Sequence, residues 1–293
     1  MLYIKKGEKT MANYILSAFA DEVSPVFTEQ LDYLKSRGIK FIEPRNIDGT
    51  NVSSIDNEQL KCAKAKLDSY GIGVSSIGSP IGKISVTDDF ADHLKLLERT
   101  IEIAKAFETK NIRMFSFFYP EGTMPREHRA AVMARLEIML ELAEKNGINL
   151  CHENEARIYG ETPDDCHDLM EYFGGRLKSV LDMGNFAFCK QNPLEGYEAV
   201  KDYIEYIHIK DANYDTSIVP AGSGAGKVEE ILSAYNKVTD KDVFLTLEPH
   251  LTVFSGLDKL SNMADIKVQN AYETPIAAFD AAKAALEAIL AKV

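Results

Sequence analysis

Four short apolar runs in the second half of the chain each end on groups that can bind a proton or a cation. They read Cys151-His152-Glu153-Asn154-Glu155, Leu181-Asp182-Met183-Gly184-Asn185, Ile207-His208-Ile209-Lys210-Asp211 and Leu247-Glu248-Pro249-His250. An ionised group among apolar neighbours is costly unless it is paired or coordinated. Four such groups at equivalent points therefore suggest a shared role. Glu153, Asp182, His208 and Glu248 offer three carboxylates and one imidazole. That set suits one divalent ion (Mn, Co, Zn or Mg) with positions left open for substrate oxygens. It lacks the thiolates of a closed structural zinc site. Alternation along an extended strand puts Val180 with Asp182, Tyr206 with His208 and Lys210, and Thr246 with Glu248 on common faces. Glu155 has the parity of Glu153 and competes with it. Each residue alone has a plainer explanation: a solvated strand-end acid, a turn cap, a satisfied core histidine, a loop entrance. Four coincidences at one level favour the joint reading.

Such groups need a scaffold that brings strand ends together. An amphipathic helical pattern ends at Gly or Asn, Ile follows, and a short apolar run begins. This recurs at Gly38-Ile39, Gly71-Ile72, Asn111-Ile112 and Gly147-Ile148, spaced by 33, 40 and 36 residues. Gly and Asn tolerate the left-handed conformation that closes helices. Apolar runs of this length read as strands buried on both faces of a parallel sheet. Eight strands are expected, at 14–19, 40–43, 73–77, 113–117, 149–153, 179–182, 206–210 and 243–248. Ser24-Pro25, Asp56 with Gln59, Thr162-Pro163 and Asn192-Pro193 mark helix starts. An Ala-rich helix should close the chain over about 274–291. Eight unbroken β/α units predict a (β/α)₈ barrel, whose active site lies where strands end. We expect one domain over residues 13–293, preceded by a disordered leader at 1–12, with Met11 an alternative start. The stretch 256–270 fits no element clearly.

Composition narrows the function. There are 45 acidic against 33 basic residues in 293, a formal charge of −12. The longest basic run is Lys5-Lys6. Neither suits a reader of nucleic-acid phosphates. No run of about 18 apolar residues could cross a membrane, and the N-terminal segment is too polar for a signal peptide. Cys62, Cys151, Cys166 and Cys189 form no C-x-x-C pair, so reduced thiols and a cytoplasmic location are expected.

The segments HENE (152–155), LDMGN (181–185), HIKDA (208–212) and LEPH (247–250) resemble the sugar phosphate isomerase/epimerase family of the xylose isomerase-like TIM-barrel superfamily. The resemblance runs from about residue 14 to 290. It implies that Glu153, Asp182, His208 and Glu248 hold one divalent metal. It also implies that Glu153 and Glu248 act as an acid/base pair on opposite faces of a substrate carbon, through a metal-stabilised enediolate. The implied function is a metal-dependent isomerase or epimerase of a small sugar or polyol. Two positions depart from the ketose 3-epimerase pattern. Asn185 stands where that pattern has a substrate-contacting histidine, and Tyr214 stands near its arginine; Lys210 offers a cation instead. These departures keep open a dehydratase or lyase acting on a keto-sugar or keto-inositol. A non-catalytic sugar-binding barrel fits less well. Strands two and three end without the histidines of a three-zinc endonuclease, and the chain has no Trp for the walls of a true xylose isomerase.

Arg45, Asn185, Lys210 and His250 are the candidate substrate contacts, with Lys83 a weaker one. Gly222–Lys227 matches neither a P-loop nor a dinucleotide fingerprint. Its place before a helix leaves a phosphate contact open, with a plain glycine turn favoured. The partner is thus a small molecule, with neither nucleic acid nor membrane, and a homo-oligomer is compatible with all of this.

Overall fold

The computed structural model describes residues 11–252, 267–268 and 272–293. The expected leader therefore lies almost wholly outside the described residues, as does most of 256–270. Among the described residues, eight parallel strands form the barrel. They are β1 (Asn13–Ala18), β2 (Phe41–Ile42), β3 (Gly73–Val74), β4 (Asn111–Met114), β5 (Asn149–Glu153), β6 (Lys178–Asp182), β7 (Ile204–Ile209) and β8 (Asp242–Leu247). β4 through β8 pair in sequence, and β8 pairs with β1 in register Tyr14 to Val243. Closure runs through short ladders: Glu43 N–H to the Ala18 carbonyl, Gly73 and Ser75 N–H to those of Lys40 and Ile42, Ile77 N–H to that of Asn111 and Arg113 N–H to that of Ile77. All eight expected strands are present, within a few residues at their ends.

The helices α1 (Phe27–Ser36), α2 (Asn57–Tyr70), α3 (Ala91–Ala106), α4 (Arg129–Lys145), α5 (Pro163–Phe173), α6 (Met183–Phe188), α7 (Pro193–Val200), α8 (Val228–Tyr235) and α9 (Pro275–Leu290) follow or flank them. Asp56 and Gln59 form the reciprocal capping box of α2. Thr162, Asn192 and Thr274 each cap a helix whose first residue is Pro. Gly38, Gly71 and Gly147 are left-handed as expected. Asn111 is not a cap, because α3 ends earlier. Glu108 takes the left-handed turn, and Asn111 already belongs to β4. α1 starts two residues beyond Pro25; its first amide, on Phe27, is capped by the distant Asp48 carboxylate at 2.8 Å.

Outward side chains such as Leu181, Ile207, Ile209 and Leu247 join the helices in one large core, whereas Cys151, Val180 and Tyr206 cluster separately inside the barrel. That division is what strand alternation demands. Beyond β3 the chain runs alongside β4, with Phe115 N–H bonded to the Ile81 carbonyl and Phe117 N–H to that of Gly82. Only glycine fits at 82: its φ is +87°, and a Cβ would lie 1.9 Å from the Phe115 carbonyl oxygen.

The Gly82 amide donates to Nε2 of buried His93 at 2.7 Å. Only a neutral ring can accept that bond. Burial, and then Arg135, hold the His93 pKa below its usual 6.5. Below pH 6.5 the unfolded chain therefore binds this proton first, and stability falls with pH toward the lowered folded value. Thermal unfolding from pH 7 to 5 should show a steeper loss in the wild type than in His93→Gln. Equal slopes would contradict this assignment.

Candidate metal centre

The four candidate ligands sit at the ends of β5, β6, β7 and β8, and they meet. One donor atom from each of Glu153, Asp182, His208 and Glu248 lies within 4.8 Å of all the others, and all four side chains are buried. Glu155 is not among them. It stands at the rim, partly exposed, 3.4 Å from Lys83 Nζ.

Each glutamate divides its two oxygens. Glu153 Oε2 accepts from Arg113 Nη1 at 3.1 Å, while Oε1 accepts from Asn185 Nδ2 at 3.1 Å and lies 3.2 Å from His208 Nδ1. Glu248 Oε1 accepts from Arg45 Nη1 at 3.0 Å and lies 3.3 Å from His250 Nε2. Its Oε2 lies 3.2 Å from His208 Nδ1 and 3.4 Å from Lys210 Nζ. His208 Nδ1 is thus equidistant from two carboxylates, yet it makes no hydrogen bond and is buried. Arg45 and Arg113 stack on the same Phe19 ring, at 4.6 and 5.0 Å from its centroid. Arg45 also forks onto Asp21 at 2.9 and 3.0 Å.

Asp182 is fixed from below. Asn154 exchanges two hydrogen bonds with its backbone, and Asp182 Oδ1 caps α6 by accepting from the Asn185 amide at 2.7 Å. Its Oδ2 lies 2.9 Å from Lys210 Nζ. His250 is left-handed, with φ of 48°, and its amide donates to Glu22 Oε2 at 2.8 Å. Backbone strain of this kind needs surrounding structure to hold it.

Protonation follows from crowding. Burial would raise Glu153, but His208 and Arg113 outweigh it and hold it at about 2. Burial pushes Asp182 up to about 7 against the pull of Lys210. His208 is driven upward: Glu153 and Glu43 overcome the opposing effect of burial. Glu248 lies well below the usual range; Lys210 and the adjacent His208 and His250 rings outweigh its burial. Six buried carboxyl groups (Asp21, Glu22, Glu43, Glu153, Asp182 and Glu248) face three buried cations (Arg45, Arg113 and Lys210). Without a cation, a protonated imidazole must supply charge that a divalent ion could supply instead. The donor types, the surplus of carboxylates and the orphaned Nδ1 all fit such an ion.

The four expected substrate contacts all reach this cluster. Arg45 and His250 hold Glu248, Asn185 holds Glu153, and Lys210 lies between Asp182 and Glu248. Sequence reasoning missed Arg113, Asp21, Glu22 and Asn154. Arg113 carried a usable signal, being a charge inside the buried strand NIRM. The glycine loop resolves into a different arrangement. Amides of Gly222, Gly224 and Gly226 donate to the Asp211 carboxylate at 2.8, 2.9 and 2.8 Å. The loop grips its own acid, leaving those three amides already bonded. Asp211→Ala should lower unfolding stability by about 3 kcal/mol, read from urea denaturation, because it strips three amides of one acceptor. A variant as stable as the wild type would contradict this.

No helix among the described residues is long and apolar enough to cross a membrane. The sequence profile of the xylose isomerase-like TIM barrel family matches residues 31–256. No curated protein matches the sequence. Similar solved structures include D-allulose 3-epimerase from Methylomonas sp. in complex with D-allulose (TM-score 0.70, 19% identity, 97% of this chain and 100% of that one). A second is the IOLI protein with a bound zinc atom (TM-score 0.73, 16% identity, 95% and 98%). A third is a probable 3-DHS dehydratase, AsbF, from Bacillus anthracis (TM-score 0.67, 19% identity, 89% and 100%). Likeness at these identities establishes a shared fold. With the profile matching most of its length, the chain belongs to the xylose isomerase-like TIM barrel family.

Proposed function

We propose that the protein is a divalent-metal-dependent isomerase or epimerase of a small sugar or polyol. The observation that carries this reading is the buried convergence of Glu153, Asp182, His208 and Glu248. These four would hold the ion, which would supply Lewis acidity to a substrate carbonyl and its neighbouring hydroxyl. Glu153 and Glu248 then serve as the acid/base pair. One removes the proton from the carbon beside the carbonyl; the other returns a proton to the opposite face. Arg113 and Arg45 each fix one oxygen of these glutamates, and Asn185 and His250 brace them further. The neighbours support the substrate class, since one is an epimerase holding D-allulose. Four free cysteines support a reducing, cytoplasmic setting.

One observation favours a second reading, dehydration of a keto-sugar or keto-inositol. The buried Lys210 ammonium lies 2.9 Å from Asp182 and 3.4 Å from Glu248. It could donate to a departing hydroxyl oxygen, and one neighbour is a probable dehydratase.

A turnover screen of ketoses, keto-inositols and 3-keto-glycosides in D₂O, with Mn²⁺ or Co²⁺ present, separates the readings. We expect an isomer carrying deuterium at the reacting carbon, with no water lost. Loss of water would establish the second reading. Absence of turnover and of carbon-bound exchange across the screen would contradict both.

A further inference from the structure

Glu43 directly follows β2, and the proposed chemistry makes no use of it. Its side chain is fully buried. Oε1 accepts from the Tyr206 hydroxyl at 2.8 Å, and Oε2 accepts from the Thr246 hydroxyl at 2.9 Å. Oε2 also lies 3.2 Å from His208 Nε2. Tyr206 is itself held, its hydroxyl 3.0 Å from Ser76 Oγ. The Phe19 ring meets the imidazole in a T-shaped contact at 5.1 Å. A carboxylate braced by two hydroxyls cannot easily swing away, so the imidazole it faces is fixed as well.

Both ring nitrogens face carboxylates, but Nε2 alone makes a hydrogen bond, to Glu43 Oε2. A carboxylate accepts, so Nε2 is the nitrogen that keeps its proton when Nδ1 gives one up. Nδ1 faces Glu153 Oε1 and Glu248 Oε2 at 3.2 Å each. We propose that Glu43 is a positioning residue for the metal centre. Its carboxylate holds the His208 Nε2–H and thereby presents the Nδ1 lone pair to the divalent ion. The inference rests on the reading that these four side chains bind such an ion. Carboxylates behind metal-bound histidines act in this way by fixing the ring and strengthening it as a donor. The competing role is structural: Glu43 would merely satisfy two buried hydroxyls, and its loss would change stability without changing ion affinity.

Calorimetric titration of chelator-stripped full-length protein with Mn²⁺ distinguishes these roles. Glu43→Gln keeps the volume but loses the charge, and Glu43→Asp draws the carboxylate back from Nε2. Both should weaken Mn²⁺ binding roughly 10- to 100-fold. Tyr206→Phe, which removes one brace but spares the His208 contact, should weaken Mn²⁺ binding less than either Glu43 variant. In the zinc-loaded wild type, the His208 Nε2–H should give a downfield, exchange-protected proton resonance, lost in both Glu43 variants. Wild-type affinity in folded Glu43→Gln and Glu43→Asp would overturn the proposal, as would absence of the protected resonance from the zinc-loaded wild type. His208→Ala separates this failure from that of the site itself. If it abolishes Mn²⁺ binding while the Glu43 variants bind normally, only the positioning role falls. If it binds as the wild type does, the metal centre falls too.

Discussion

Glu153→Gln should reduce turnover of the preferred keto-sugar by roughly 10²–10⁴-fold, and Glu248→Gln should do the same. The substitution keeps an oxygen donor and the side-chain volume, so the barrel should fold. It removes the capacity to accept a proton at the reacting carbon. The two variants should differ in which half of the reaction they lose. An epimerase with one base left can still exchange the substrate hydrogen that this base reaches, so each variant should retain deuterium exchange from one epimer only. Rapid-quench and NMR measurements on both epimers would show this. Unchanged turnover in either variant would remove that glutamate from the acid/base pair. Arg113 and Arg45 give a finer test: each holds the oxygen directed away from His208, so Arg113→Lys should be milder than Glu153→Gln.

Removing the divalent ion should have an effect of similar size. Stripped protein should lose turnover to the limit of detection and regain it with Mn²⁺ or Co²⁺. A stability readout accompanies this. Six buried carboxyl groups face three buried cations in the stripped site. An ion that binds only the folded state stabilises it by mass action, about 4 kcal/mol at 1,000 times its Kd. For a chain of this size that corresponds to a Tm rise of roughly 8 °C. Asp182→Asn removes one ligand charge while keeping the Asp182 backbone bonds to Asn154, and should abolish most of that rise. A Tm rise equal to the wild type's in Asp182→Asn would mean that the ion binds elsewhere.

Local rules carried much of the fold. Thr274-Pro275, Thr162-Pro163 and the Asp56/Gln59 box act within one turn, so residue type and spacing suffice to find them. The failures were tertiary. Asp48, 21 residues away in sequence, supplies the cap that moves the start of α1 to Phe27. At the end of α3 a non-glycine residue, Glu108, takes the left-handed turn, and no composition rule points to it. The site divides in the same way. Strand-end position and alternation made the four converging side chains legible, because a parallel barrel places equivalent strand ends at one level. Their partners are joined only by folding: Arg45 meets Glu248 across 203 residues, and Arg113 meets Glu153 across 40. Parity could not separate Glu153 from Glu155; the barrel wall does, burying the first and leaving the second at the rim beside Lys83.

Anomalous diffraction from crystals grown with Mn²⁺ tests the central claim most directly. One anomalous peak should lie within about 2.0–2.3 Å of a carboxylate oxygen from each of Glu153, Asp182 and Glu248 and of His208 Nδ1. A peak bound elsewhere, or none at these four side chains with Mn²⁺ at saturating concentration, would contradict it.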